Sequence, residues 1–219
     1  MQRAKLFDRG WLLDHRGIVL WTILGYQVEE DANRSLINTS DTISSCPSMR
    51  ILETDRLVLR WLAAEDAEFI FDLLNQPSFL QFIGDKGVRT IDDARNYILT
   101  GPIASYERFG FGLYLTELKP TQTPIGICGL LKRETLDDVD VGFAFLPQYW
   151  KQGYAFESAS VIAYGKETLG LDRIVAITSP DNEASIRVLN KLGLKFDRMI
   201  RLSEDTPEVK LFTPLNSRQ

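Results

Sequence analysis

The chain of 219 residues contains little of what many catalytic and metal sites are built from: two cysteines, one histidine and three methionines. Cys46 and Cys128 form neither a CxxC pair nor a zinc-ligand spacing, which favours a reducing, cytoplasmic compartment with Cys128 as a small core residue. The one histidine, His15, lies outside the region that holds the other motifs. Histidine-activated nucleophiles and most transition-metal sites are thereby excluded, and we expect no bound metal.

Long apolar runs and an excess of positive charge are also missing. The apolar stretch at residues 17–25 is too short to span a bilayer, and no clean cleavage site for a signal peptide follows it. The formal net charge of −5 at pH 7 suits a nucleic-acid phosphate surface poorly. We therefore expect neither a membrane nor a nucleic acid as partner, whereas cationic partners such as amines are compatible with the charge.

The sequence changes character at Met49. Residues 29–48 are polar and without periodicity, whereas residues 49–60 read as the natural beginning of a domain. We expect residues 1–48 to be an N-terminal extension and residues 49–219 to form one domain. Two interpretations of the extension stand equally: Met49 is the biological start, or residues 1–48 are a genuine arm that packs on the domain or on a partner.

Hydrophobic periodicity predicts a mixed α+β fold with a mostly antiparallel sheet and a late strand–helix–strand–helix unit. The predicted strands are residues 57–61, 111–118, 125–132, 139–146, 173–179, 195–202 and 209–215. The predicted helices are residues 63–74, 91–99, 154–169 and 182–192. No internal repeat is present.

One strand-to-helix connection is the most informative segment. An apolar strand ends at Leu146-Pro147, a short polar loop follows, and Gly153 opens the next helical pattern. The first N–H groups of a helix have no intrahelical partner and lie at the positive end of its dipole. The connection therefore predicts an anion site, most typically for phosphate.

Four segments, taken in their order and spacing, resemble the GNAT superfamily of acyl-coenzyme A-dependent N-acyltransferases, and within it the ribosomal-protein N-terminal acetyltransferase branch. The segments are residues 54–60, 139–143, 149–157 and 182–196, and the resemblance spans roughly residues 52–212. It implies a GNAT-like sheet flanked by helices, with a splayed strand pair that holds coenzyme A. It also implies direct transfer of an acetyl group from acetyl-coenzyme A to a primary amine in a ternary complex.

The resemblance also implies a coenzyme site. The superfamily turn Q/R-x-x-G-x-G/A is matched by Trp150-Lys151-Gln152-Gly153-Tyr154-Ala155, with Trp150 in the usual Gln/Arg position, and the pantetheine arm would pair with the strand at residues 139–145. The implied coenzyme-binding residues are Phe143, Phe145, Trp150, Lys151, Gln152, Gly153, Tyr154, Ala155 and Asn182. Three plainer interpretations remain: an ordinary strand-to-helix turn, a packing glycine at Gly142, and an ordinary helix N-cap at Asn182.

Acetylation of an amine requires that its proton be removed, and without a suitable histidine a carboxylate must accept it. Asp140 stands where this branch usually carries Glu, and its shorter side chain favours a relay through water. Its alternative role is that of a solvated strand residue, and Asp138 and Glu134 are weaker candidates. Many relatives place a Tyr on the last helix as proton donor, but residues 188–191 contain none, so Ser185 or a water would serve.

The acceptor is left open between a protein N-terminus, which the branch resemblance favours, and a small-molecule amine such as a polyamine, an aminoglycoside or an amino acid. Its pocket would come from the helices between Ala63 and Tyr106. Phe82, Trp61 and Tyr106 are candidates to line it, although we expect each of them to pack in the core. Two rival functions are a non-catalytic acyl-coenzyme A binding or sensing domain and an interaction domain without coenzyme. A monomer or a homodimer is expected.

Overall fold

The computed structural model describes residues 49–215, so the interpretation of residues 1–48 lies outside the described residues. The strands are β1 (Arg50–Glu53), β2 (Leu57–Trp61), β3 (Leu113–Leu118), β4 (Thr123–Leu131), β5 (Val139–Phe145), β6 (Ile174–Thr178), β7 (Leu194–Ile200) and β8 (Val209–Pro214). The helices are α1 (Ala67–Leu74), α2 (Pro77–Phe82), α3 (Ile91–Ile98), α4 (Ala104–Phe109), α5 (Tyr154–Ser158), α6 (Val161–Glu167) and α7 (Glu183–Lys191). In this part of the chain no helix has the length and apolar character needed to cross a membrane.

The described strands form one sheet in the order β1-β2-β3-β4-β5-β6-β8-β7. Every neighbouring pair is antiparallel except β5 and β6, which are parallel. That parallel pair is joined only at Val139 with Ile174 and at Asp140 with Val175, and the two strands separate beyond those residues. The predicted α+β class with a mostly antiparallel sheet flanked by helices is confirmed.

The sheet has a separate apolar core on each face. On one face, Val161 of α6 and Leu189 of α7 pack with the β5 residues Val139, Val141 and Phe145. On the other face α1, α2 and α3 pack with β3 and β4. Because side chains alternate along a strand, Asp140, Gly142 and Ala144 of β5 point to this second face. Ala144 indeed packs against the core formed by α1, α2 and α3.

Two predicted helices differ from the structure. The helix predicted over residues 154–169 is two short helices, α5 and α6, separated by a turn at Ala159 and Ser160. In place of the helix predicted over residues 91–99, α3 ends at Ile98, and the chain continues through a π-helical turn, Leu99–Ile103, into α4. Pro102 lies inside this turn and has no N–H to donate, and the wider π-helical turn accommodates it. The short elements β1, α2 and α4 were not predicted.

Strand β4 runs through the tightest part of the fold. Cys128 is fully buried, and burial raises the pKa of its thiol to about 12, so the prediction of a core cysteine is confirmed. At the next residue, Gly129, a Cβ would lie 2.7 Å from the Leu113 Cα and closer still to the Gly112 carbonyl oxygen. Backbone atoms cannot move aside as a flexible side chain can, so this position requires glycine.

We expect Gly129→Ala to lower the free energy of unfolding by about 1–3 kcal/mol, because the added methyl overpacks the β3–β4 pair. Urea unfolding followed by circular dichroism measures the loss. Gly101→Ala is the matched control, since a Cβ there has nothing within 4 Å, and it should leave stability equal or slightly higher. Equal stability of the two variants would contradict the packing argument.

Candidate active site

The separation of β5 from β6 leaves a wedge that opens toward the C-terminal ends of both strands. On its other edge β5 is fully paired with β4, from Asp140 opposite Leu131 to Phe145 opposite Gly126. Beyond Asp140 the wedge-facing edge of β5 has no partner among the strands of residues 49–215. A free strand edge offers N–H and C=O groups to an extended chain, so the wedge can hold a ligand arm carrying amide groups.

The loop after β5 is shaped by two left-handed residues. Lys151 has φ 62° and Gly153 has φ 86°, and they flank Gln152 just before α5. The N–H groups of residues 151–156 have no acceptor among the described residues, and the first helical bond of α5 is donated by Glu157 to the Gly153 carbonyl. Successive N–H groups in such a loop form a concave anion site.

The structure changes how this loop could attract an anion. Helix α5 has only five residues, so its dipole is much weaker than that of the helix predicted over residues 154–169. The side-chain amide of Gln152 donates to the Gln148 carbonyl at 3.0 Å, which holds it within the loop. The Lys151 side chain is exposed. The loop therefore depends mainly on its backbone N–H groups, and Lys151, which has no ion pair within the described chain, adds a positive charge.

The aromatic residues around the loop have structural roles. The Trp150 indole N–H donates to the Phe145 carbonyl at 2.7 Å and ties the loop to the end of β5, although 41% of Trp150 is exposed. The Phe145 side chain is buried in the core, so only its backbone borders the wedge. Phe143 is half-buried, and the Tyr154 ring packs edge-on against Tyr149.

A contact that sequence reasoning missed fixes the loop from the other side. We call it the Arg56–Glu157 clasp, formed by Thr54, Arg56 and Glu157. Glu157 accepts hydrogen bonds from the Thr54 hydroxyl at 2.6 Å, the Arg56 backbone N–H at 2.9 Å and the Arg56 Nε at 2.7 Å. Burial raises the pKa of Glu157, but these hydrogen bonds and the Arg56 charge outweigh it, and the net shift is downward.

The clasp also reaches the turn itself. Arg56 Nη1 donates to the Gln152 carbonyl at 3.1 Å, and its guanidinium carbon lies 4.5 Å from the centre of the Tyr154 ring. The sequence contained a partial signal for this contact, because Arg56 and Glu157 both fall in the segments that resemble the superfamily. Their contact could not be inferred, since 101 positions separate them.

Asn182 caps α7 from the opposite side of the wedge. Its Oδ1 accepts the Ser185 N–H at 3.0 Å, so the N-cap interpretation is confirmed. Its side-chain nitrogen has no partner among residues 49–215 and is available to a ligand. Ser185 is half-buried on the first turn of α7. Lys191, farther along α7, lies 4.1 Å above the Phe156 ring and links α7 to α5.

Asp140 is not a solvated strand residue, and that interpretation is wrong. It is 1% exposed, and its two oxygens accept from Arg133, at 2.8 Å from Nε and 3.3 Å from Nη2. Burial raises the pKa of its carboxyl, and Arg133 offsets only part of that increase. Each oxygen retains a second lone pair, so the carboxylate can still accept another hydrogen bond.

The two predicted catalytic residues lie on opposite faces of the sheet. Asp140 points to the face covered by α1 to α3, whereas α7, which carries Ser185, packs on the other face. The wedge is an opening between the two faces next to β5. A ligand held in the wedge would therefore have Asp140 on one side and Ser185 on the other.

A cavity of about 350 Å³ opens on the Asp140 face. We call it the helix–sheet cavity, and it lies between the α3–α4 segment and the start of β3 and end of β4, with Leu113 and Leu131 in its wall. The same two leucines cover Gly142, since Leu131 Cδ1 lies 2.8 Å from where a Cβ of Gly142 would be. Trp61 and Tyr106 do not line this cavity: their rings stack at 4.6 Å, and Tyr106 is buried in the core, the role expected for it.

Comparison with known proteins agrees with this geometry. The family model for the acetyltransferase (GNAT) domain matches residues 56–195. An uncharacterized N-acetyltransferase, YoaA of Bacillus subtilis (strain 168), is 34% identical over 154 residues, which cover 69% of this chain and 86% of that protein. Acetyl-coenzyme A is accordingly the cosubstrate of this chain.

Solved structures show the same fold at lower identity. The ribosomal L7/L12 alpha-N-protein acetyltransferase RimL superposes with a TM-score of 0.65 at 15% identity, over 79% of this chain and 97% of RimL. The microcin C7 self-immunity acetyltransferase MccE, solved with acetyl-CoA and AMP, gives 0.63 at 16% identity, over 78% and 98%. With its family model, its bacterial relative and its wedge-bearing sheet in agreement, the chain belongs to the GNAT acetyltransferase family.

Proposed function

We propose that the protein transfers the acetyl group of acetyl-coenzyme A to a primary amine by direct attack in a ternary complex. The observation that carries the proposal is the wedge between β5 and β6, which lies beside a loop with unpartnered N–H groups and has Asp140 on the opposite face. A donor can enter this wedge from the α5–α7 face while an acceptor approaches from the Asp140 face. Direct transfer requires that both be present at once.

The loop and the strand would hold the donor. The N–H groups of residues 151–156 bind the pyrophosphate, with Lys151 adding a charge. The unpaired edge of β5 binds the amides of the pantetheine arm, and the Asn182 side-chain nitrogen donates to it. An N–H near Gly142 or Phe143 polarises the thioester carbonyl, where negative charge grows during attack.

Asp140 would accept the proton of the attacking amine, directly or through one water. Bound acetyl-coenzyme A supplies a thioester whose carbonyl carbon accepts the amine and whose sulfur leaves readily, because a thiol pKa is about 8.5. Ser185 or a water on the α7 side returns a proton to that sulfur. The forming bond is amide C–N and the breaking bond is C–S, so the proton lost by the amine balances the one gained by the thiol.

The acceptor is a protein N-terminus or a small-molecule amine. Structural likeness to RimL favours the first, and the volume of the helix–sheet cavity, about 350 Å³, favours the second. A monomeric or homodimeric state and a cytoplasmic location stay predictions.

A thiol-release assay with acetyl-coenzyme A tests the activity. N-terminal peptides, polyamines, aminoglycosides and amino acids serve as acceptors, and at least one class should release coenzyme A well above the acceptor-free rate. Calorimetry with acetyl-coenzyme A runs in parallel. Binding with no release across the whole panel would contradict the proposal and favour a non-catalytic binding domain.

The clasp predicts a binding defect without a catalytic one. We expect Glu157→Gln to weaken acetyl-coenzyme A binding about tenfold, because the loss of a charge-assisted bond frees Arg56 and the loop it holds. Calorimetry gives the Kd, and amide exchange at residues 151–156 should speed up. Glu167→Gln, an exposed carboxylate at the end of α6, is the control and should change neither. An unaltered Kd in Glu157→Gln would contradict a contribution of the clasp to acetyl-coenzyme A binding.

Asp140 predicts a catalytic defect. Asp140→Asn should lower kcat at least about 100-fold while the Kd of acetyl-coenzyme A stays within twofold. Because burial raises the pKa of Asp140, the wild-type kcat should fall as pH decreases through a value above that of an exposed Asp, and the variant should lack this fall.

The control for this prediction is Asp138→Asn, two residues earlier, where the carboxylate pairs with Arg173 at 3.0 Å. It should retain kcat within twofold. Thermal melts accompany both variants, since Asp140→Asn leaves the Arg133 charge without its partner. A folded Asp140→Asn protein with wild-type kcat and pH profile would rule out Asp140 as the base.

A further inference from the structure

The helix–sheet cavity is positively charged in a protein whose net charge is −5. Arg108, Lys132 and Arg133 line it, and its described lining includes no Asp or Glu. Asp140 neutralises the charge of Arg133 through an ion pair in which Oδ1 lies 2.8 Å from Nε. The excess of positive charge in the cavity therefore comes from Arg108 and Lys132.

Neither of these two cations has a carboxylate partner among residues 49–215. Lys132 Nζ donates to the carbonyl oxygens of Leu136 and Asp137, which carry no net charge. The Arg108 guanidinium is exposed and lies 4.9 Å from the Phe109 ring centre, with no ion pair in the described chain. No carboxylate of the described chain neutralises either charge, and the Lys132 ammonium keeps one N–H beyond its two carbonyl bonds.

The remaining wall suits a small organic molecule. Leu113, Leu131 and Pro102 contribute apolar surface, and Tyr97 carries a hydroxyl that can donate or accept a hydrogen bond. A volume of about 350 Å³ lies within the range of small-molecule sites. The cavity thus combines an apolar surface with a cationic rim.

The position of the cavity connects it to the proposed chemistry. Leu131 lies opposite Asp140 in the β4–β5 ladder, and side chains of opposed residues share a face. An amine beside Asp140 would have the rest of its molecule next to Leu131, in the cavity. Its distal end would then meet Arg108 and Lys132.

We propose that the acceptor is a primary amine that also carries a carboxylate or phosphate group, and that Arg108 and Lys132 bind this anion in the helix–sheet cavity. The inference rests on the proposed acetyl transfer and narrows its acceptor. A polyamine or an aminoglycoside brings additional positive charge to this rim and is disfavoured by repulsion. An amino acid or the N-terminus of an acidic peptide meets the requirement.

The phosphates of the coenzyme do not explain the cationic rim. The anion-binding loop follows the C-terminal end of β5, whereas the cavity lies against β4 and β3 opposite the N-terminal end of β5. The seven residues of β5 span about 20 Å between these ends. The two anion sites therefore serve different ligands.

The test compares matched acceptors that share an amine: an amino acid with its amide, and an acidic N-terminal dipeptide with its amidated form. We expect the wild-type protein to favour the acids in kcat/KM. In the Arg108→Gln/Lys132→Gln variant the acid-to-amide ratio should fall about tenfold or more, as is typical when charge-assisted bonds are lost. The change in ratio is independent of amine basicity, because both proteins receive the same acceptors. Either acid source, single amino acid or peptide, supports the inference and identifies the acceptor type.

Controls separate this inference from the general activity. The control variant is Arg201→Gln. Arg201 is exposed, is distant in sequence from the cavity residues and contacts Glu208 at 4.0 Å, so its substitution should leave the ratio unchanged. The double variant should melt like the wild type and bind acetyl-coenzyme A with an unaltered Kd, and a weakened Kd would assign the cavity to the coenzyme and overturn the proposal. Wild-type preference for amides or polyamines would overturn it too while leaving acetyl transfer intact. If no amine is acetylated, both the proposed function and this inference are wrong.

Discussion

The site depends on one interruption of hydrogen bonding, the early end of the β5–β6 ladder. Two residue pairs hold these parallel strands together, and after Asp140 and Val175 they separate. A sheet of this size would otherwise form a continuous barrier between the helices on its two faces. The gap leaves backbone groups of β5 without a partner among the described strands, and in the proposed reaction it is where donor and acceptor meet.

Such a gap has to be held open by its surroundings. The Arg56–Glu157 clasp ties the loop after β5 to the chain segment before β2, on the opposite side of the sheet order from β6. The Trp150 indole N–H donates to the carbonyl of the last residue of β5, and Asn182 caps α7 on the other border of the wedge. These contacts occupy polar groups beside the gap, whereas the N–H groups of residues 151–156 have no acceptor in the described part of the chain.

The sequence predicted those structural features that depend on residues close together in the chain. The strand predicted over residues 139–146, the helix start predicted at Gly153 and the cap at Asn182 each depend on residues within one turn or one strand of each other. The break between α5 and α6 was not predicted, because residues 154–169 are compatible with a continuous helix and tertiary packing decides otherwise. The burial of Asp140 could not be predicted either, since it depends on Arg133 returning across the β4–β5 connection. The clasp unites residues too distant in sequence for any periodicity to reveal.

The π-helical turn at Leu99–Ile103 sets the rotation of the helix that forms one wall of the cavity. A π-helical turn holds one residue more than an α-helical turn, so the faces of α3 and α4 are rotated relative to those of an unbroken helix. Thr100, Gly101 and Pro102 therefore determine which side chains of the following helix, Arg108 included, are directed toward the cavity. Insertion or loss of a residue here would present a different set of side chains to an acceptor, while the wedge and its loop kept their shape. Under the proposed role of the cavity, a rotation of this helix would change the acceptor preference without any substitution of the residues proposed for acetyl transfer.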